Sequence, residues 1–287
     1  MKTREQIISW LYVTPLLLVL IPFFVVPILA VLAASFMSSD GFGGMLPDPT
    51  LANYVGLLTS PLTFNLYVET VKYTVLTWFF SLIIGFWVAY FLVFHVRNPL
   101  LAIGLFLVCT VPFWTSNIIR MISWIPLLGK EGLINTALIN AGLIREPLEF
   151  LLFSTFSVVV AYVHQLTIFM IVPIFSAMAR IDKRLIEAAL DSGASRFDVM
   201  RHIVVPLSKN GIALGSIFIV SIVMGDFYVV KVMSGGGSAS VVGAFYEDIG
   251  VLQYPPAAAS AVLLTIIVTL MIILILRTVD VRRELTR

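Results

Sequence analysis

The chain has 287 residues, of which 60% are hydrophobic and only 12% are charged. Its mean hydropathy is +1.03, whereas a soluble domain has about 25% charged and about 45–50% apolar residues. This composition excludes a soluble globular protein, because too few polar side chains are present to cover its outside. The net charge of +2 is small and gives no reason to expect a nucleic-acid partner.

Six stretches are long and apolar enough to cross a bilayer, for which a helix needs about 20 mainly apolar residues. They lie at about 10–36, 66–94, 100–119, 153–179, 207–230 and 257–276. All six are apolar on every face, whereas the strands of a membrane β-barrel alternate over segments of about ten residues. The sequence therefore predicts an all-α polytopic membrane protein with six transmembrane helices, organised as a single transmembrane domain over residues 1–287.

Basic residues predict how these spans are oriented. If both termini are cytoplasmic, 13 of the 18 Lys and Arg residues fall in inner segments and the other five in outer ones. Positive charge collects on the cytoplasmic side of membrane proteins. We therefore expect a multi-pass protein with both termini in the cytoplasm.

The outer loops carry few regular signals. The loop at about 37–65 is rich in Gly, Pro and Ser, which predicts an irregular segment. Residues 133–143 are expected to form a short interfacial helix, and residues 234–238 form a glycine-rich turn or flexible loop.

The inner loop at 180–206 contains the signals of a short amphipathic helix. Asp182 is a candidate N-cap, Gly193 is expected to end the helix, and Pro206 is expected to start the next span. A small, apolar side is expected to consist of Leu185, Ala188, Ala189 and Leu190. Small residues of this kind allow another surface to approach closely.

The same loop resembles a known signature. Glu187-Ala188-Ala189, three residues, Gly193, nine residues, then Ile203 and Pro206 resembles the EAA loop of ABC importer permeases, departing only in Val205 where the family has leucine. The resemblance implies the type I ABC importer permease fold, with a cytoplasmic coupling helix that docks on a separate ATP-hydrolysing subunit. The coupling residues that it implies are Glu187, Ala188, Ala189, Asp191 and Gly193.

The resemblance also implies partners and a location. We expect a bacterial inner-membrane protein surrounded by lipid, bound to a dimer of ATP-binding subunits, a second and homologous permease subunit, and a periplasmic substrate-binding protein. The chain has no G-x-x-x-x-G-K-[ST] run and no Ser/His/Asp or H-E-x-x-H set. We therefore expect that the chain is not an enzyme and that it holds no metal or cofactor, because the partner ATPase binds ATP and Mg²⁺.

A narrower resemblance concerns the cargo. The run VPFWTSNIIR at 111–120 and the run GDFY at 225–228 look like the spermidine/putrescine permease branch of the family. This implies a polyamine or a similar amine as the transported solute. Related permeases carry iron, thiamine or phosphonates, which stay as alternatives. A secondary transporter, which would have inverted repeats with broken helices, is the alternative outside the family.

Several residues near or within the spans are candidates for the substrate pathway, because polar groups there usually face a cavity or a partner. They are Trp114, Asn117, Arg120, His164, Gln165, Asp226 and Tyr228. Asp226 is either a counter-charge for a cation or a structural partner of Arg120 or Lys231. The aromatic residues either hold an ammonium group by cation–π contact or anchor the membrane interface. His164 and Gln165 either line the pathway or join helices by hydrogen bonds.

Two pairs of small residues predict close helix packing. Gly211 with Gly215, and Gly85 with Ala89, are each spaced four residues apart. Small residues at this spacing let membrane helices approach each other closely.

Overall fold

The computed structural model describes residues 2–40, 42–236 and 240–278, so that Gly237 and Ser238 of the predicted glycine-rich loop lie outside the described residues. The all-α prediction is confirmed, with one short antiparallel hairpin, β1 (Ser38–Ser39) and β2 (Met45–Leu46), in the described part of the chain. The α-helices are α1 (Lys2–Leu20), α2 (Val26–Ala34), α3 (Ala52–Thr59), α4 (Pro61–Phe94), α5 (Pro99–Thr110), α6 (Asn117–Ile122), α7 (Ile125–Leu128), α8 (Leu133–Asn140), α9 (Thr155–Met178), α10 (Lys183–Asp191), α11 (Arg196–Val199), α12 (Val205–Gly225), α13 (Tyr228–Met233), α14 (Val241–Gly250) and α15 (Tyr254–Arg277).

Five helical segments among the described residues are long and apolar enough to cross a membrane. They are Tyr12–Ala34, Pro61–Phe94, Glu149–Met178, Arg196–Gly225 and Tyr254–Arg277. A sixth span results if the bent pair Pro99–Trp114 and Asn117–Asn140 is counted as one, with 93° between its two parts.

The third predicted span, 100–119, is therefore not one straight helix. Helix α5 ends at Thr110 and is followed by a 3₁₀ turn, Val111–Trp114, after which Thr115 is extended. Pro112 lacks the N–H of a regular helical bond, and Thr115 Oγ1 donates to the Pro112 carbonyl at 2.9 Å. Non-helical backbone at membrane depth is tolerated only where protein or a water-filled cavity surrounds it. We therefore expect the break at 111–115 to face protein or a cavity instead of lipid.

The fifth predicted span, 207–230, is displaced at both ends. A helical path begins at Arg196 and passes through a π-helical turn, Met200–Val204, before Pro206. The wider turn accommodates a proline whose ring would clash with the carbonyl four residues earlier in an α-helix. At the other end, α12 stops at Gly225 and Asp226 is extended, with φ −100° and ψ 140°. Asp226 therefore lies at a helix break instead of inside a span.

The described residues divide into two compact units, Met1–Phe64 with Ala244–Ile266 and Asn65–Gly243 with Ile267–Arg287. In the first unit, no side chain between residues 12 and 34 is buried, and such an apolar surface suits contact with lipid. After this span, Asn53 Nδ2 donates to the carbonyl oxygens of Ser35 and Met37 at 3.0 and 2.9 Å. The loop predicted to be irregular is thus partly ordered by a helix and a hairpin.

In the second unit, α12 packs tightly on α9. A Cβ atom added at Gly211 would meet the carbonyl of Pro173 and lie 2.8 Å from Ala177 Cβ, and one at Gly215 would lie 2.5 Å from Met170 Sδ. At Gly211 a side chain would overlap the backbone of α9, so glycine is required there. At Gly215 a side chain would displace the Met170 side chain and lie 3.1 Å from Met170 Cα. The close packing predicted for Gly211 and Gly215 is confirmed.

Helix α4 also packs closely on α9. A Cβ atom at Gly85 would lie 2.8 Å from Met170 Cγ and 3.3 Å from the backbone nitrogen of Ile171, and Ala89 is fully buried. The close packing predicted for this pair is also confirmed. Together, α4, α9 and α12 supply most of the buried apolar side chains of this unit.

Candidate functional site

Helix α10 has a defined beginning and a defined end. Asp182 Oδ1 accepts from the backbone N–H of Arg184 at 3.0 Å, as predicted for an N-cap. At the other end, the N–H of Gly193 donates to the carbonyl of Leu190 at 2.9 Å, and the N–H of Ala194 to that of Ala189 at 3.0 Å. This pair of bonds is a Schellman motif, and Gly193 has the required φ of +87°.

The two sides of α10 have different surroundings. Ile186 and Ala189 pack against the buried cluster of the second unit, whereas an exposed side, which we call the coupling surface, consists of Leu185, Glu187, Ala188, Leu190 and Asp191. The sequence analysis predicted that Ala188 and Ala189 lie on the same small, apolar side of the helix. In the structure, Ala188 is exposed and Ala189 faces inward. Leu185 and Leu190 are 48% and 42% exposed, which leaves apolar area open to another protein.

A second capping motif follows directly. Ser195 Oγ accepts from the N–H of Asp198 at 3.1 Å, and Asp198 Oδ2 accepts from the N–H of Ser195 at 3.1 Å. This reciprocal capping box fixes the first turn of the path into span five. The coupling surface is therefore joined to a membrane helix by a short, well-defined turn.

Asp226 is held by two hydrogen bonds in the second unit. Tyr162 Oη donates to Asp226 Oδ1 at 3.0 Å, and the N–H of Val229 donates to the same oxygen at 2.9 Å. Within the described ranges, neither Arg120 nor Lys231 forms an ion pair with it. Of the two alternatives for Asp226, the structural ion pair with one of these cations is therefore not formed, and Tyr162 and a backbone N–H are the groups that hold the carboxylate.

Arg120 is 6% exposed and lies on α6, next to α9. Its Nη2 donates to Asn117 Oδ1, whereas its Nε and Nη1 are buried and find no hydrogen-bond partner in the part of the chain that the structure describes. Gln165 on α9 is 5% exposed, and its Nε2 is also without a partner. On the same helix, His164 Nδ1 accepts from Trp124 Nε1 at 3.1 Å.

Three of the predicted pathway residues share one cavity. It has a volume of about 270 Å³ and is lined by Arg120, His164 and Gln165 together with apolar side chains and Cys109. Trp114, Asp226 and Tyr228 are not among its lining residues. Asn117 does not line it either, but it accepts a hydrogen bond from Arg120, which does.

Sequence reasoning missed Tyr162. This side chain is 1% exposed and lies one helical turn before Gln165 on α9. The spacing of these two polar residues on one side of the helix was the signal in the sequence that could have identified Tyr162. Among the residues that the structure describes, no group of three or more His, Cys, Asp or Glu side chains is placed to hold a metal ion.

Comparison with known proteins defines the class. Residues 81–284, which include the loop with α10, match the family described as "Binding-protein-dependent transport system inner membrane component". The chain belongs to this family. It is the non-catalytic permease subunit of a binding-protein-dependent ABC importer, a multi-pass inner-membrane protein without a cofactor of its own.

The proteins that are similar to this chain include two permeases and one solved structure. The spermidine/putrescine transport system permease protein PotB of Haemophilus influenzae is 34% identical over 226 residues, covering 78% of this chain and 77% of the relative. PotB of Escherichia coli K12 is 34% identical over 218 residues, covering 75% and 77%. A chain of a bacterial alginate ABC transporter, crystallised with an alginate-bound periplasmic protein, matches with a TM-score of 0.70 at 14% identity, covering 96% and 94%. This last similarity concerns the fold.

Proposed function

We propose that this permease forms the membrane passage for a small amine, with spermidine and putrescine as the first candidates. The observation that carries the proposal is Asp226, a half-buried carboxylate at the break between α12 and α13 without an ion-pair partner in the described ranges. A carboxylate in this position stabilises a passing ammonium group, whose charge is costly in a low-dielectric passage. Similarity to two spermidine/putrescine permeases supports the same substrate class.

The exposed side of α10 supports a proposal for coupling. Its apolar and acidic side chains form the docking surface for a dimer of ATP-binding subunits, with Glu187 and Asp191 flanking Leu190. Closure of that dimer on ATP displaces α10 and shifts the permease between its inward-facing and outward-facing states, because nucleotide binds the two states with different affinity. A second, homologous permease subunit and a periplasmic binding protein complete the transporter.

Replacing Asp226 with asparagine tests the amine proposal. The amide keeps an oxygen that accepts from Tyr162 and Val229, so the fold is expected to survive while the charge is lost. We expect uptake of labelled putrescine and spermidine to fall at least about tenfold in kcat/KM, or about 1.4 kcal/mol, at an unchanged permease level.

The matched control removes another acid. Glu149 forms an exposed ion pair with Lys130 at 2.5 Å, and such pairs contribute little, so Glu149→Gln should transport as the wild type does. Wild-type amine uptake by Asp226→Asn would exclude Asp226 as the counter-charge, whereas no uptake of either amine by the wild-type transporter would overturn the amine proposal and favour iron, thiamine or a phosphonate as the cargo.

The proposed orientation is tested by cysteine labelling in a Cys109→Ala background. Glu146 and His95 are exposed and lie in loops on opposite sides of the proposed topology. A membrane-impermeant maleimide should label Glu146→Cys in spheroplasts, and His95→Cys only after permeabilisation. Labelling of His95→Cys in sealed spheroplasts would contradict cytoplasmic termini.

A further inference from the structure

The guanidinium of Arg120 is buried with most of its donors unused. The side chain is 6% exposed, and among the described residues Nε and Nη1 have no hydrogen-bond partner, while Nη2 donates to the neutral side chain of Asn117. No acid forms an ion pair with it in the described ranges. A buried, uncompensated cation is strongly unfavourable, so this arrangement is poised for an acceptor that the chain itself does not supply.

The neighbours of Arg120 at the cavity add further donors. Trp124 Nε1 is only a donor, so His164 Nδ1 must accept and, in the neutral ring, His164 Nε2 carries the proton. Gln165 contributes an amide whose Nε2 is also unpartnered. Most other lining side chains are apolar, among them Ile84, Pro112 and Phe113. The cavity therefore presents one positive charge, on Arg120, and further N–H donors from His164 and Gln165 within a mainly apolar wall. Such a set of groups favours a small anionic group as the ligand.

A carboxylate is the anionic group that fits a guanidinium best, because its two oxygens match two parallel N–H donors. The cavity volume of about 270 Å³ lies just below the range of about 300–1,000 Å³ for drug-sized ligands. The occupant is therefore a small molecule.

The carboxylate of Asp226 is held by α9, the helix that also lines the cavity. Tyr162, which holds Asp226, and Gln165, which lines the cavity, are both buried and are three residues apart on α9. Three residues advance a helix by about 4.5 Å. Asp226 is thus held by α9 one helical turn from a residue that lines the cavity, and within the described ranges it forms no ion pair with Arg120.

We propose that the preferred cargo of this permease is an amine that also carries a carboxylate. The carboxylate of the solute binds Arg120 in the cavity, and its ammonium group is the charge that passes Asp226 on the proposed pathway. This inference rests on the proposed amine pathway past Asp226 and narrows its substrate class. A simple polyamine, by contrast, has to pass Arg120 without offering it an acceptor.

The chain contains a natural reporter for this site. Cys109 is its single cysteine, is half-buried, and lines the same cavity. The complete transporter in membrane vesicles is treated with a small methanethiosulfonate reagent, and modification of the Cys109 peptide is followed by mass spectrometry. The probes are putrescine and 4-aminobutyrate, which share a four-carbon chain and differ in one end group.

We expect saturating 4-aminobutyrate to slow modification of Cys109 at least fivefold and putrescine to have a much smaller effect. In uptake assays, Arg120→Gln should raise the KM for 4-aminobutyrate at least tenfold relative to the KM for putrescine, with Arg120→Lys in between. The ratio of the two KM values cancels any loss of folded protein. The labelling arm uses the wild-type chain and decides the question even if the Arg120 variants fail to fold.

The outcomes separate the two proposals. If putrescine is imported and 4-aminobutyrate neither protects Cys109 nor is imported, the carboxylate site is wrong and the amine pathway stands. Equal protection by both probes, or an unchanged KM ratio in Arg120→Gln, also overturns the carboxylate site. If neither compound is imported, the proposed amine function fails together with this inference.

Discussion

Replacing Gly193 with valine is expected to abolish transport while the permease still inserts in the membrane. Gly193 has φ +87° at the end of α10, a conformation that costs other L-residues roughly 1–2 kcal/mol and β-branched ones more. A Cβ atom there would meet nothing within 4 Å, so the effect comes from the backbone and not from crowding. Loss of the Schellman bonds displaces the coupling surface, so ATP hydrolysis is no longer linked to the membrane helices.

The chain offers a close control for this experiment. Gly142 ends α8 with φ +71°, the same pair of Schellman bonds, and open space at the Cβ position. Gly142→Val should retain transport because the strain is the same but lies in another loop. Gly193→Asn should keep part of the activity, since asparagine tolerates this backbone. ATP-driven uptake and substrate-stimulated ATPase activity in proteoliposomes measure the effect; normal coupling in Gly193→Val would exclude α10 as the docking element.

Replacing Gly211 with valine should prevent formation of a stable membrane domain. The first side-chain atom would overlap the Pro173 carbonyl and the Ala177 side chain of α9, and overpacking of a tight core costs about 1–3 kcal/mol or more. We expect a clear loss of detergent-solubilised, monodisperse protein and a lower melting temperature of what remains.

Gly104 provides the control for this packing argument. It lies inside α5, and a Cβ atom there would meet nothing within 4 Å. Gly104→Val should therefore keep the yield and melting temperature of the wild type. Equal effects of the two substitutions would show that helix flexibility, and not the contact between α9 and α12, determines stability.

Much of this fold was predictable because lipid imposes a simple rule on composition. The runs of apolar residues that become α4, α9 and α15 are visible in any hydropathy window, and their observed ends differ from the predicted ones by a few residues. The break after Pro112 was hidden, because averaging over 20 residues removes a local turn at Thr115. Asp226 was misplaced for the same reason, since a single residue of extended backbone barely changes the mean hydropathy of its surroundings.

The candidate sites show a similar division. The caps of α10 were predictable because Asp182 and Gly193 act on their own neighbours. The inward position of Ala189 was not, because it depends on packing against distant residues. The contact of Tyr162 with Asp226 joins positions 64 residues apart, and no local pattern specifies such a pair.

The helical path Arg196–Gly225 is 30 residues long, or about 45 Å at 1.5 Å per residue. It begins beside the coupling surface and ends at Asp226, so under the proposed coupling it would act as a lever between the two sites. A tilt of about 10° about one end displaces the other by about 8 Å over this length. The π turn at Met200–Val204 is the compliant point of the lever, because its wider ring departs from the regular α-helical bond pattern. On this proposal, bending would concentrate near the coupling end, and the longer arm would move as a rigid rod.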